Sequence, residues 1–323
     1  MYNIVDKNLG GSSLLRFENE FKGLTILSVL TAKLGFSRKS ITKLKQKKDG
    51  ILLNGSHATV RAIIREGDIL TINFDDSEDE ENGNLLPSNV LPDIVFEDGD
   101  IVVANKPENM PTHPSHGHFS DTLANSLAYY YKLQERPFVF RAITRLDRNT
   151  SGAVLVAKNK LAAYRLGKAM KNSEIEKSYL AILVSSPNET QGTITTYIRR
   201  KEKSIIFREV CDKCGDAKLA ITNYRVIAKN ERLSLVLASP VTGRTHQLRL
   251  HFAHVGSPIL GDDLYGYESD MISRHALHAY SLSFKHPATD ENITVFAEIP
   301  EDMKKIIKEN FKQEDISNEL KLC

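Results

Sequence analysis

Apolar residues recur along this chain with two different periods, and the alternation between those periods outlines its elements. Ile26, Val29, Leu30 and Leu34 share the spacing of one helix face, and Gly35 supplies a stop, so one amphipathic helix ending near Gly35 is predicted. A second helix is predicted after Ser37, where Lys39, Lys43 and Lys47 recur on one side, Arg38 and Lys45 lie close by, and Ile41 and Leu44 point the other way. Residues 50–55 then read as a short strand with an Asn-Gly turn, and 67–74 as a further strand. Past residue 90 short apolar runs dominate: 101–104, 153–157, 179–184 and 233–238 read as strands, with helices over 122–133 and 162–172. Regular βαβ alternation is absent, so the expected class is α+β, with a mixed, largely antiparallel sheet flanked by helices. Met303, Ile306, Ile307 and Phe311 return to helical spacing, and 301–323 reads as a C-terminal helix or tail that packs back or frays.

Composition narrows the setting. A chain of 323 residues is long enough for two domains, one of about 200 residues able to bury its own core. No run approaches the ~20 apolar residues that cross a bilayer, and the opening Met-Tyr-Asn-Ile-Val-Asp lacks a basic region followed by an apolar core. Three cysteines, one of them the last residue, do not make a disulfide framework; reduced thiols fit a cytoplasmic protein, expected here as a monomer with no membrane partner. The net charge is +2, but six of the seven residues in 75–81 are acidic, so +2 less −6 leaves +8 on the remainder. Blocks of like charge stay solvated, and 75–90 reads as an acidic linker. The expected division is an N-terminal module over 1–74 with its core at about 22–74, the linker, a larger domain over 91–300, and the tail from 301.

Candidate chemistry concentrates in Arg145-Leu-Asp-Arg-Asn-Thr-Ser-Gly152, a turn that feeds the apolar run 153–157. One carboxylate, Asp147, lies between Arg145 and Arg148, and neighbouring guanidinium groups favour its ionised form, available as a nucleophile or a base. Read locally, the same Asp also fits a surface turn with an ion pair.

The octet resembles the signature of pseudouridine synthases of the RluA/RluD family, which convert particular uridines in RNA to their C-glycoside isomer. Lys177-Ser-Tyr179 is similar to the family's Lys-x-Tyr, and Val241-Thr-Gly-Arg-Thr-His-Gln-Leu-Arg249 to its most recognisable downstream stretch. Glu97-Asp-Gly-Asp-Ile-Val-Val-Ala-Asn-Lys-Pro107 and Thr112-His-Pro-Ser115 open the pattern. Gly256-Ser-Pro-Ile-Leu-Gly-Asp262, Tyr265-Gly266, Ala276-Leu-His-Ala279 and His286-Pro287 continue it in order, so the likeness spans about 90–300. One departure stands out: many members carry His before Arg-Leu-Asp, where this chain has Thr144.

The resemblance implies the pseudouridine synthase fold and an RNA isomerase that breaks an N-glycosidic bond, turns the freed uracil and rejoins it through carbon 5, with no cofactor. Asp147 would be the nucleophile, a role carboxylates play toward sugar carbons in retaining glycosidases. Tyr179 would stack on the flipped base, although the residues alone equally allow a core tyrosine in its strand. Arg244 matches the family arginine that pairs with the catalytic carboxylate. Arg145, with Lys177, would face RNA. The module before the linker resembles the RNA-binding domain named after the fourth protein of the small ribosomal subunit, so Arg38, Lys39 and Lys43 would hold phosphates; by themselves they also fit a solvated lysine face. Large-subunit ribosomal RNA or its precursor is the expected partner, and an assembly factor that only binds RNA is the alternative.

Two other chemistries find little support. His246, His251 and His254 with Cys211 and Cys214 are favoured zinc ligand types, yet the remaining cysteine is the terminal Cys323, and Cys211–Cys214 also reads as a tight turn between strands; no metal is expected. No nucleotide cofactor is expected, because neither a Gly-x-Gly-x-x-Gly turn nor a Gly-Lys-Ser/Thr phosphate loop occurs.

Overall fold

Residues with alternating apolar side chains form two sheets of unequal size, and the computed structural model describes residues 12–18, 20–75, 85–204, 206–316 and 320. The smaller sheet belongs to the N-terminal module. Its strands are β1 (Ser12–Glu18), β2 (Ile51–Leu53), β3 (Ser56–His57) and β4 (Ile69–Asp75), in the antiparallel order β1-β4-β2-β3. Asn54 and Gly55 join β2 to β3 with positive φ at both positions, the backbone that a two-residue hairpin turn requires. The Asn54 side chain fixes the turn by donating to Asp68 and accepting from the Ile69 N–H.

The single helix expected up to Gly35 is replaced by one α turn, α1 (Ile26–Ser28), running into a π-helical turn over Val29–Lys33. The Leu34 N–H bonds to the Val29 carbonyl, one residue beyond the α-helical partner. Wider winding lets Ile26, Val29, Leu30 and Leu34 all enter the core, at 2% exposure or less. Helix α2 (Arg38–Gln46) follows, capped by the Ser37 hydroxyl, with Ile41 and Leu44 buried and Arg38 and Lys39 exposed. Most of the acidic stretch, 76–81, lies outside the described residues, as does 76–84 of the expected linker. Residues 85–90 are irregular and tied to α3 (Leu123–Leu133), where Asn125 donates to the Leu86 carbonyl and Ser126 to that of Val90.

The larger sheet has eleven strands: β5 (Asp93–Glu97), β6 (Ile101–Lys106), β7 (Arg141–Ala142), β8 (Ser151–Ala157), β9 (Glu176–Val184), β10 (Gln191–Arg200), β11 (Arg208–Cys211), β12 (Lys218–Lys229), β13 (Leu233–Pro240), β14 (Leu277–Lys285) and β15 (Asn292–Phe296). Their order is β11-β10-β12-β13-β9-β14-β8-β6-β5, with β15 on β14 and β7 on β8. Every pairing is antiparallel except β14 with β8, so the expected mixed, largely antiparallel sheet is present. At that seam Gly152 has φ +115°, and a Cβ there would meet the Ala279 carbonyl at 2.3 Å, so the close approach requires glycine.

Helices α3, α4 (Lys160–Lys171), α5 (Gln247–His254) and α6 (Glu301–Asn310) accompany the sheet. Met303, Ile306 and Ile307 of α6 pack into the core of β9 and β13, so the C-terminal segment belongs to this domain. Helix α4 starts two residues before its predicted position because Asn159 caps it, accepting from the Ala162 N–H. Its first turn reaches the module: Leu161 is buried in the module's core, and the Tyr164 ring lies so close to Gly35 that a Cβ there would fall 1.7 Å from it. Among the described residues no helix is long and apolar enough to cross a membrane.

Candidate active site

The turn that carries Asp147 is fixed at almost every backbone position. Before it, Thr144 is buried and its hydroxyl accepts from the Leu155 N–H of β8, so this threonine anchors the loop to the sheet. The Thr112 hydroxyl then donates to the Leu146 carbonyl at 3.0 Å and accepts from the Leu146 N–H at 3.1 Å. The Thr150 N–H closes the turn on the Asp147 carbonyl. Lys106 Nζ donates to the Arg148 carbonyl at 3.1 Å and to those of Pro107 and Met110 at 2.7 and 2.8 Å. Arg274, held in a two-point ion pair with Asp302, donates to the Asn149 carbonyl at 3.1 Å, while Thr150 bonds His275 at 2.8 Å. Such ties leave the Asp147 carboxylate on a rigid mount.

The facing wall comes from the end of β13, the loop 241–246 and the start of α5. Gln247 organises it: its Oε1 accepts from the Thr242 hydroxyl and the Arg244 N–H, and its Nε2 donates to the Ile221 carbonyl and Thr222. His246 precedes α5 in a left-handed conformation, φ 58°, and puts Nε2 3.9 Å from Asp147 Oδ2. Its Nδ1 lies 2.9 Å from the Tyr265 hydroxyl, which accepts from the Arg208 N–H. Because the tyrosine oxygen takes that N–H, its own proton is free to go to Nδ1, leaving the imidazole proton on Nε2, toward the carboxylate. Behind them Arg249 and Asp262 form a buried two-point pair at 2.7 and 2.6 Å.

Between the walls lies a cavity of about 630 Å³, lined by Arg145, Asp147, Lys177, Tyr179, Arg244 and His246 among others. Its electrostatics follow from burial around one carboxylate. Burial lowers the His246 pKa against the opposing pull of Asp147, so the ring is neutral at pH 7. Burial, then the Asp147 charge, push the Tyr179 phenol up, so it stays protonated. Burial lowers Lys177 and takes Lys106, fully enclosed, down to about 7.

Of the residues singled out in the sequence, Asp147, Tyr179, Arg244, Arg145 and Lys177 therefore share one cavity, while Arg38, Lys39 and Lys43 lie on α2 outside it. Tyr179 fits both of its readings, since it packs against the core and lines the cavity. Arg244 lines the cavity with its backbone N–H bonded to Gln247 and its own Nε donating to the Leu219 carbonyl on β12, while the ring of His246 lies beside the Asp147 carboxylate. Lys106, Thr112 and His246 were missed as site residues. All three stand in motifs quoted from the sequence, but nothing local says that they reach the Asp147 turn.

His251 is not placed as a ligand, because its two nitrogens face the hydroxyls of Thr196 and Thr222. Among the described residues the one trio of metal-capable side chains is Asp98, Asp100 and His286. His286 Nδ1 accepts the N–H groups of Ala288 and Thr289, so the neutral ring carries its proton on Nε2, 2.8 Å from Asp98 and off a straight hydrogen-bond direction. A ring in that state has no lone pair for an ion there.

The model of the RNA pseudouridylate synthase family matches residues 100–254, a span that holds both walls of the cavity. Uncharacterized RNA pseudouridine synthase YjbO of Bacillus subtilis is 37% identical over 275 residues, covering 85% of this chain and 95% of that protein. This chain belongs to the RNA pseudouridylate synthase family. As a pseudouridine synthase it is an isomerase acting on RNA. It is also 34% identical to Ribosomal large subunit pseudouridine synthase D of Zymomonas mobilis, over 69% of this chain and 74% of that one. The solved structure of human RNA pseudouridylate synthase domain containing 1 superposes with a TM-score of 0.54 at 31% identity, covering 64% of this chain and 82% of that one. The pseudouridine synthase fold expected from the motifs is thus present.

Proposed function

We propose that this pseudouridine synthase isomerises uridines of large-subunit ribosomal RNA, with Asp147 as the nucleophile and the target base flipped into the cavity. The observation that carries this reading is the clamped turn that presents one carboxylate to a cavity with an aromatic ring, Tyr179, and basic groups on its walls. Chemistry on a base requires it out of its stack, and a ring such as Tyr179 offers a stacking platform of about 1 to 3 kcal/mol. Lys177 and Arg145 supply positive charge for flanking phosphates. The ribosomal assignment is supported by the names of two relatives, from Zymomonas mobilis and Borreliella burgdorferi, both Ribosomal large subunit pseudouridine synthase D and both 34% identical. The N-terminal module, read as a domain like that of the fourth small-subunit protein, adds sequence-independent affinity through Arg38, Lys39 and Lys43.

The reaction breaks the bond from ribose carbon 1 to N1 of uracil and forms one from that carbon to carbon 5; the carbon 5 hydrogen leaves as a proton, N1 takes up a proton, and there is no net redox change. Tritium placed at carbon 5 of uridine in unmodified ribosomal RNA therefore follows turnover directly. Release by the wild type and none by Asp147→Asn is expected, with large-subunit RNA preferred to transfer RNA. No release from either RNA, despite salt-sensitive binding, would leave only the reading of an RNA-binding assembly factor.

A further inference from the structure

Helix α4 touches both units of the protein, and its ends do different things. Near its start Leu161 is buried in the module's core and the Tyr164 ring lies on Gly35; near its end Met170 and Lys171 line the catalytic cavity. Its twelve residues span ~18 Å at a rise of ~1.5 Å each. Lys160, Tyr164, Lys168 and Lys171 fall at the spacing of a single helix face. That face is the one turned toward the module, because Tyr164 makes the contact there. Both lysines are exposed: Lys168 lies between the Tyr164 contact and the cavity, and Lys171 stands at the cavity itself.

Basic residues continue the line at both ends. Gly35 is followed within three residues by Arg38 and then Lys39 at the start of α2, both exposed. At the other end, Lys177 and Arg145 line the cavity. Two acidic groups of the neighbourhood have their own partners: the Glu20 carboxylate interacts with Arg165 of α4, and Glu174 accepts from Asn172.

We propose that the α4 face through Lys168 and Lys171 is an RNA-backbone track, joining the start of α2 to the catalytic cavity so that one strand is held by the module and delivered to Asp147. This rests on the reading of the protein as an RNA isomerase and adds where the flanking strand runs. The docked module sets the length of that strand, since the contact at Gly35 and Tyr164 fixes how far the α2 lysines stand from the carboxylate. A merely structural role for the two lysines is the competing account, because both stand in the last turn of α4, where positive charge complements the helix dipole.

Binding of two RNAs by the full chain separates these accounts. One is a long ribosomal fragment with flanks, and the other a short oligonucleotide that occupies the cavity alone. Each phosphate contact contributes about 0.7 to 0.9 to the slope of log affinity against log salt. For Lys168→Gln with Lys171→Gln the slope on the long RNA should fall by about 1.5, so that the wild type loses about eightfold more affinity than the variant between about 50 and 200 mM salt. Lys168→Gln alone should fall by about 0.7 to 0.9 on the long RNA and be unchanged on the short one. A wild-type slope for both variants on the long RNA, with the helix intact by circular dichroism, would overturn the track, as would an equal loss by Lys168→Gln alone on the short RNA. Tritium release by the wild type tests the isomerase reading separately, so each reading can fail without the other.

Discussion

Replacing Lys106 by Met tests whether the mount of Asp147 matters as its geometry implies. The ammonium is fully enclosed and its three bonds end on the carbonyls of Pro107, Met110 and Arg148. Met keeps the unbranched chain as far as Cε and removes the ammonium with its three donors. Each buried acceptor left without a partner costs about 1 to 3 kcal/mol, partly offset by no longer desolvating a charge, so a net loss of about 3 kcal/mol is expected. In a chain of this size that is a fall in melting temperature of roughly 4 to 5 °C. The catalytic effect should exceed the stability effect, because the Arg148 carbonyl adjoins Asp147 and a misplacement of about 1 Å costs on the order of a hundredfold in rate. Tritium release from carbon 5 at saturating RNA, measured well below the new melting temperature, reads the rate. There is also a pH signature. Folded Lys106 releases its proton near pH 7, while the unfolded chain holds it to about 10.5, so the unfolded state binds more protons in that window and this group's contribution to stability rises with pH there. Lys106→Met should lose that rise. Wild-type turnover with an unchanged melting temperature would refute the claim that these bonds hold the turn.

Thr112→Val removes both bonds to Leu146 at nearly constant volume, so a loss of about 1 to 3 kcal/mol is expected from chemical denaturation, with turnover reduced more than RNA affinity. Gly152→Ala places a Cβ 2.3 Å from the Ala279 carbonyl at a φ of +115°, and should destabilise the β8–β14 seam by more than about 3 kcal/mol, seen as a lower melting temperature or insoluble protein. His251 and His278, both held by burial at about 4, should make the protein acid-labile. Below the ordinary histidine value of 6.5 the unfolded chain binds more protons, so stability falls as pH drops from there toward 4, by roughly 3 kcal/mol for each ring. A melting temperature flat between pH 6.5 and 4 would contradict that.

Much of this was legible in the residues. Short apolar runs located four strands of the larger sheet, β6, β8, β9 and β13, and the motif residues Asp147, Tyr179 and Arg244 line one cavity although they come from distant parts of the chain. The failures share a cause, which is that their determinants act at long range. Apolar spacing marks the buried face between 26 and 34 but says nothing of winding, so the π-helical turn was invisible. Arg244 carries the expected residue type, yet its direction is decided by Gln247 and the Leu219 carbonyl of β12. Lys106 stands two residues past the strand predicted over 101–104, and only the folded chain brings its ammonium to the carbonyl beside Asp147.

The ties from Arg274 to Asn149 and from His275 to Thr150 each join residues 125 positions apart. On a ribosome, the Asp147 turn is therefore finished only after nearly the whole chain has been translated, and Arg274 is itself set by Asp302. An emerging chain displays the N-terminal module long before the Asp147 turn is locked. On the proposed function, a product truncated before Arg274 is expected to bind RNA through that module without turning it over, a difference that binding and tritium release would read separately.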